Sequence, residues 1–157
     1  MGREIERKFL VRDRSIVEGL TGRRIVQGYL ANGLTSVRVR LDGEHARIAI
    51  KGPMRQRERA EYEYDIPPDD AAGIFALCEL PPIRKTRYIV RCAQHDWEID
   101  VFEGANAPLV VAEVELGSAD EPVLIPSWAG AEVTDDPRYA NARLAERPYG
   151  GWPVEER

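Results

Sequence analysis

In the opening stretch GREIERKFL, two carboxylates and an ammonium recur at every second residue, at Glu4, Glu6 and Lys8. Same-sign pairs with that spacing follow along the chain: Arg38 and Arg40, Glu61 and Glu63, Lys85 and Arg87, Glu98 and Asp100, Glu113 and Glu115. Side chains two apart on a strand project from one face, so each pair belongs to a single charged surface. Carboxylates on neighbouring strands are oxygen donors suited to hard divalent cations such as Mg²⁺ or Mn²⁺. Rows of Lys and Arg suit phosphate oxygens. Together they point to a metal-bound polyphosphate. With this composition roughly seven or eight like-sign pairs at that spacing arise by chance, so their placement carries more weight than their number.

The elements that must position these charges read as strands over 4–11, 24–30, 36–41, 46–51, 60–66, 84–91, 97–102 and 110–116, each alternating or rich in β-branched residues. Asn32-Gly33, Asp42-Gly43-Glu44 and Ala93-Gln94-His95 have hairpin length, and the first two have hairpin chemistry. Two interruptions read as helices, 68–79 and 136–147, each opened by an Asp/Pro cluster and stopped by proline. So many short strands in one meander predict an α+β, mainly β fold: a closed eight-stranded antiparallel β-barrel with a few flanking helices.

Closure decides where the charges go. The faces opposite to them, such as Val37, Val39 and Leu41, or Tyr62, Tyr64 and Ile66, are apolar and need cover, which helices on the outside can supply in part. The charged faces then line the barrel interior. Like charges ~7 Å apart repel by about 2 kcal/mol at an effective dielectric near 20, and more as water is excluded. Such an interior is tolerable where acidic and basic groups neutralise one another or where ligands bring the missing charge.

The 157 residues, 43% of them hydrophobic, fit one domain with an apolar core. The net charge of −5 excludes the global basic excess that draws proteins to nucleic acid. Cys78 and Cys92 stand alone, far from metal-site or disulfide-framework spacing. No apolar run approaches the ~18 residues of a membrane-spanning helix, and the N-terminus is charged, which by elimination gives a cytoplasmic expectation. His45 and His95 sit beside turns and read as solvent-exposed, and Trp97, Trp128 and Trp152 read as packing residues or surface anchors. Arg55, Arg57 and Arg59 read as a solvated loop, with the gathering of anionic substrate at the barrel mouth as the alternative, and 148–157 reads as a tail without periodicity.

With these motifs in order, the chain resembles the CYTH superfamily, or triphosphate tunnel metalloenzymes. The resemblance runs from Glu4-x-Glu6-x-Lys8 through Gln27-Gly28-Tyr29-Leu30, Arg38-x-Arg40, Lys51-Gly52, Glu61-x-Glu63, Lys85-x-Arg87, Asp100-Val101-Phe102 and Glu113-x-Glu115 to Tyr139-Ala140-Asn141. It implies a tunnel domain over 1–147 that binds a triphosphate with Mg²⁺ or Mn²⁺. Carried over by position, Lys8, Arg38, Arg40, Lys51, Lys85 and Arg87 hold the phosphates, and Glu4, Glu6 and Glu115 ligate the principal metal. Glu63, Asp100 and Glu113 serve a second metal or an activated water, and Lys8 and Tyr29 influence the attacking water. Glu61 and Glu98 are left as salt-bridge partners.

The short chain looks most similar to stand-alone bacterial inorganic triphosphatases, which implies metal-dependent hydrolysis of tripolyphosphate. An adenylyl cyclase, a thiamine or nucleoside triphosphatase and a non-catalytic polyphosphate-binding module are the alternatives. The partner expected is a small-molecule triphosphate, with no nucleic acid and no membrane, and with a homodimer left open.

Overall fold

The computed structural model describes residues 2–157. Eight strands form a closed antiparallel barrel: β1 (Gly2–Val11), β2 (Arg23–Asn32), β3 (Ser36–Asp42), β4 (His45–Lys51), β5 (Glu58–Ile66), β6 (Ile83–Cys92), β7 (His95–Phe102) and β8 (Val110–Glu115). Around the barrel the order is β5-β4-β3-β2-β6-β7-β8-β1, and β1 closes the ring by pairing with β5. The first strand is the clasp. It takes β8 along one edge, with Glu6 opposite Glu115 and Lys8 opposite Glu113. Its other edge is shared: residues 2–5 pair with β5, and Phe9 and Val11 pair with a short ninth strand, β9 (Ala129–Glu132).

The ninth strand departs from the expected eight. Its sequence, Ala-Gly-Ala-Glu, has no β-branched residue, so no local propensity announces it. It forms because β1 offers unpaired backbone beyond β5. A side chain at Gly130 would stand 3.3 Å from the Leu10 carbonyl oxygen, so the two backbones meet closely there.

Both helices are shorter than expected. The first, α1 (Pro68–Phe75), ends where Leu77 N–H bonds Ile74 C=O and Cys78 N–H bonds Phe75 C=O. These tighter three-residue bonds bring Cys78 against Gly28, where an added Cβ would lie 2.8 Å from Cys78 Sγ. The expected helix over 136–147 is a 3-10 turn (Pro137–Tyr139), an extended Ala140, and α2 (Asn141–Glu146). An isolated helix of six residues is unstable in water. Here Asn32 Nδ2 donates to the Ala142 carbonyl at 2.8 Å, and an Arg143 guanidinium nitrogen donates to the Asn32 carbonyl at 2.5 Å.

With charges inside, the apolar packing lies elsewhere. Outside β1, β7 and β8, Phe9, Trp97, Ile99, Ala112 and Val114 pack beneath Trp128 and Val123. Outside β3 and β4, Val39 and Ala46 pack beneath Ala71, Ile74 and Phe75. Tyr62 and Tyr64 on β5 and Ile50 on β4 stay exposed, since α1 covers only part of that face. The third cluster closes one end of the interior. Ile83, Phe102 and Val111 share strand parity with Lys85, Asp100 and Glu113, and pack against Tyr139, Leu144 and Trp152. Trp152, from the segment without periodicity, is therefore buried in this floor. Among the described residues no helix is long and apolar enough to cross a membrane.

Trp97 is fully enclosed, with edge-to-face contacts to Phe9 (centroids 5.6 Å) and Trp128 (5.4 Å), yet its indole N–H lacks a hydrogen-bond partner among the described residues. Trp97→Ala is expected to lower unfolding free energy by about 3–5 kcal/mol. Trp97→Phe is expected to lose well under half of that, because it also removes an unsatisfied donor. Urea denaturation of the two variants checks the difference.

Candidate active site

The barrel interior opens into a cavity of about 310 Å³ lined by 22 of the described residues. Eight carry carboxylates and nine carry Lys or Arg side chains. Of the residues expected to act on a ligand, Glu4, Glu6, Lys8, Tyr29, Arg38, Arg40, Lys51, Glu63, Lys85, Arg87, Glu113 and Glu115 line this one wall. Strand parity is the cause: each lies on the inward register of its strand. Asp100 shares the inward parity but sits behind the wall, 1% exposed, beneath Lys85 and Arg87.

Some of the charges neutralise one another. Lys51 Nζ donates to Glu4 at 2.9 Å and lies 2.8 Å from Glu61, across the β4–β5 ladder. Arg59 Nε also donates to Glu4, at 2.9 Å. Burial disfavours the Glu4 carboxylate, but Lys51 and Arg59 outweigh it and bring its pKa down to about 2. Arg87 holds Asp100 through two nitrogens, at 2.7 and 2.9 Å, and reaches Glu98 at 2.5 Å. Lys85 Nζ donates to Asp100 at 2.6 Å. Asp100 is thus held ionised despite its burial. Burial, with Arg87 and Arg40 nearby, pulls Lys85 down to about 7, against the pull of Asp100.

Other charges have long contacts or no ion-pair partner among the described residues, and these are segregated. Glu6 and Glu115 face each other on β1 and β8 with no ion-pair partner among the described residues. Burial, Glu113 and Glu4 push Glu6 up to about 8, and burial with Glu4, Glu98 and Glu61 raises Glu115. Lys8 lies 3.5 Å from Glu113 and donates to the Tyr139 carbonyl at 3.3 Å. Across the cavity the excess is positive. Arg38 is 6% exposed, reaches Glu63 only at 3.6 Å, and its Nε has no hydrogen-bond partner among the described residues. Among the described residues Arg40 bonds only the amide oxygen of Gln27, and burial with Arg38 and Arg87 lowers it to about 10. One side of the cavity therefore carries an excess of negative charge and the other an excess of positive charge.

These features fit the expected ligands. A buried guanidinium with an unused donor fits phosphate oxygen. A carboxylate set with no nitrogen or sulfur donor fits a hard divalent cation. Among the described residues no three metal-binding side chains converge as they stand, and Glu4 is engaged by Lys51 and Arg59.

The structure corrects the reading of Arg59 as a loop residue. Arg55 and Glu58 exchange backbone bonds at 2.8 and 3.0 Å, and Gln56 and Arg57 turn the chain with positive φ. That turn contains no Gly or Asn, so it gave no local signal, and β5 begins early enough to aim Arg59 inward. Parity with Glu61 and Glu63 is the signal that finds it. Asn141 at the start of α2 also lines the wall, a position that no strand pattern could reveal. Glu61 and Glu98 pair with cations as expected. His45 is exposed on its turn, and His95 pairs with Glu121 at 2.6 Å outside the cavity.

The whole chain can be set beside known proteins. The CYTH domain family model matches residues 2–149. An inorganic triphosphatase of Acetivibrio thermocellus is 42% identical over 154 residues, covering 95% of this chain and 97% of that protein. One of Nitrosomonas europaea is 36% identical over 148 residues, covering 90% and 96%. The crystal structure of an inorganic triphosphatase superposes with a TM-score of 0.66 at 34% identity, covering 92% of this chain and 95% of that one. With a barrel whose inward registers carry the motif from Glu4 to Glu115, and a family match spanning nearly every residue, this chain belongs to the CYTH domain family.

Proposed function

We propose that this protein hydrolyses inorganic tripolyphosphate to pyrophosphate and phosphate inside the barrel, with Mg²⁺ or Mn²⁺. The observation that carries the reading is the segregation of poorly compensated charge, with Arg38 and Arg40 on one side of the cavity and Glu6 and Glu115 on the other. A metal-bound polyanion supplies both missing signs at once. The chain's similarity to inorganic triphosphatases supports the choice of an inorganic substrate. So does the wall itself: Tyr29 is its one aromatic residue among those described, and its hydroxyl accepts a bond from Gln27 at 3.2 Å, leaving no platform for a base.

In this mechanism Lys8, Arg38, Arg40, Lys51, Lys85 and Arg87 bind and orient the three phosphoryl groups. Glu4, Glu6 and Glu115 would hold the principal metal, with Glu113 beside them. When bound, the metal supplies a Lewis acid that neutralises phosphate oxygens and polarises water. A water oxygen adds to a terminal phosphorus as the bridging P–O bond breaks and pyrophosphate leaves, so the protein's task is positioning and charge neutralisation. Glu63 is the carboxylate suited to orient that water, being held among the described residues only by the long contact to Arg38, whereas Asp100 is committed to Lys85 and Arg87. Tyr29 stays a neutral phenol, since burial raises its pKa above the effect of the nearby arginines.

Phosphate release from tripolyphosphate with Mg²⁺ or Mn²⁺ tests the proposal. Lys8→Ala and Glu6→Gln are each expected to lower kcat by about 100-fold or more while the proteins stay folded by circular dichroism. Unchanged turnover in either variant would overturn it.

The raised Glu6 pKa has a consequence for stability. Its folded-state value lies above its unfolded one, so between about pH 5 and 8 the folded protein binds more protons and loses stability as pH rises. Metal-free wild type is expected to lose stability relative to Glu6→Gln across that range, with a slope of at most about 1.4 kcal/mol per pH unit. Saturating Mn²⁺ is expected to abolish the difference in slope. Urea unfolding at stepped pH, with and without the metal, reads both effects.

A further inference from the structure

Gln27 lies on β2 directly opposite Arg40 on β3 and is fully enclosed. Its amide oxygen accepts Arg40 Nε at 3.0 Å and Nη2 at 2.8 Å. Its amide nitrogen donates to Tyr29 Oη at 3.2 Å and to Asn141 Oδ1 at 2.9 Å. Arginine is only a donor, so the oxygen must face Arg40 and the amide has one possible orientation. Asn141 Oδ1 also accepts Lys85 Nζ, at 3.0 Å. With two donors on that oxygen, the Asn141 amide is oriented as well. A continuous relay thus joins Arg40 on β3, Gln27 on β2, Asn141 at the start of α2 and Lys85 on β6.

The relay is neutral, which sets it apart from the other anchors in the barrel. Lys51 is held by Glu4 and Glu61, and Arg87 by Asp100 and Glu98, so the groups that orient those cations also cancel their charge. Arg40 is held at two nitrogens by an uncharged oxygen. Its Nη1 has no partner among the described residues, and the side chain lines the cavity. A planar fork fixed at two points keeps its third nitrogen in a defined place.

We propose that Gln27 and Asn141 are positioning residues, which fix Arg40 and Lys85 for the phosphates without neutralising Arg40 and make the docking of α2 a condition for that arrangement. The inference rests on reading the cavity as a tripolyphosphate site. It assigns the C-terminal helix a part in substrate binding, through one residue that touches two of the cavity's cation-holding strands.

Three variants test it, Gln27→Glu, Gln27→Met and Asn141→Ala, each measured in three ways: melting temperature, calorimetric titration with tripolyphosphate in metal-free buffer, and steady-state kcat and KM with Mg²⁺. Gln27→Glu keeps an acceptor for both Arg40 nitrogens and is expected to melt no lower than Gln27→Met. It is nonetheless expected to bind tripolyphosphate at least about tenfold more weakly, as a charge-assisted contact is lost to the new carboxylate. Asn141→Ala is expected to weaken binding in the same direction, with KM rising more than kcat falls. A residue that merely supported the fold would lower the melting temperature and leave tripolyphosphate affinity unchanged. Wild-type affinity in folded Gln27→Glu and Asn141→Ala overturns the inference. A wild type that binds tripolyphosphate without turnover overturns the hydrolytic reading alone, and the affinities still decide this one. A wild type that does neither overturns both.

Discussion

Among the described residues, seventeen formally charged side chains face one cavity, nearly balanced in number and unbalanced in place. Everything else in the molecule answers to that constraint. Where opposite charges can meet across a ladder they do, as Lys51 with Glu61 and Arg87 with Asp100. Where carboxylates crowd, burial and like charges raise their pKa values, Glu113 and Glu4 acting on Glu6, and Glu4, Glu98 and Glu61 on Glu115. A closed barrel with such an interior is only partly stabilised by its own groups, and its residual polarity is a template for a ligand carrying both signs.

The fold accommodates this by displacing its apolar packing. A small barrel ordinarily fills its interior with hydrophobic side chains. Here Trp97, Ile99 and Val114 pack outward under the 117–128 segment, and Val39 and Ala46 pack under α1. Only one end of the interior is apolar, where Ile83, Phe102 and Val111 meet Tyr139, Leu144 and Trp152. The C-terminal segment therefore does two things. Its apolar residues close that end, and Asn141 touches Lys85 directly and Arg40 through Gln27.

Much of this was legible from alternation alone. The inward parity of Glu4, Glu6, Lys8, Arg38, Arg40, Lys51, Lys85, Arg87, Glu113 and Glu115 follows from spacing, and the structure places all ten on one wall. Three features were not legible, each for a physical reason. Arg59 was hidden because its turn uses positive-φ Gln56 and Arg57 without a glycine. The strand β9 was hidden because it is templated by the edge of β1 and has no propensity of its own. The role of Asn141, named only within the C-terminal motif, was hidden because a six-residue helix is placed by contacts from β2, remote in sequence.

The sequence by itself determined which side chains share a face, because the direction of a side chain on a strand is a local property with a period of two. Only the tertiary structure decided which charges neutralise one another. Glu4 and Arg59 stand 55 positions apart, Gln27 and Asn141 stand 114 apart, and their pairing depends on register and closure between distant segments. That choice leaves Glu6, Glu115, Arg38 and Arg40 without counter-charges of normal strength, and so turns a charged wall into a site.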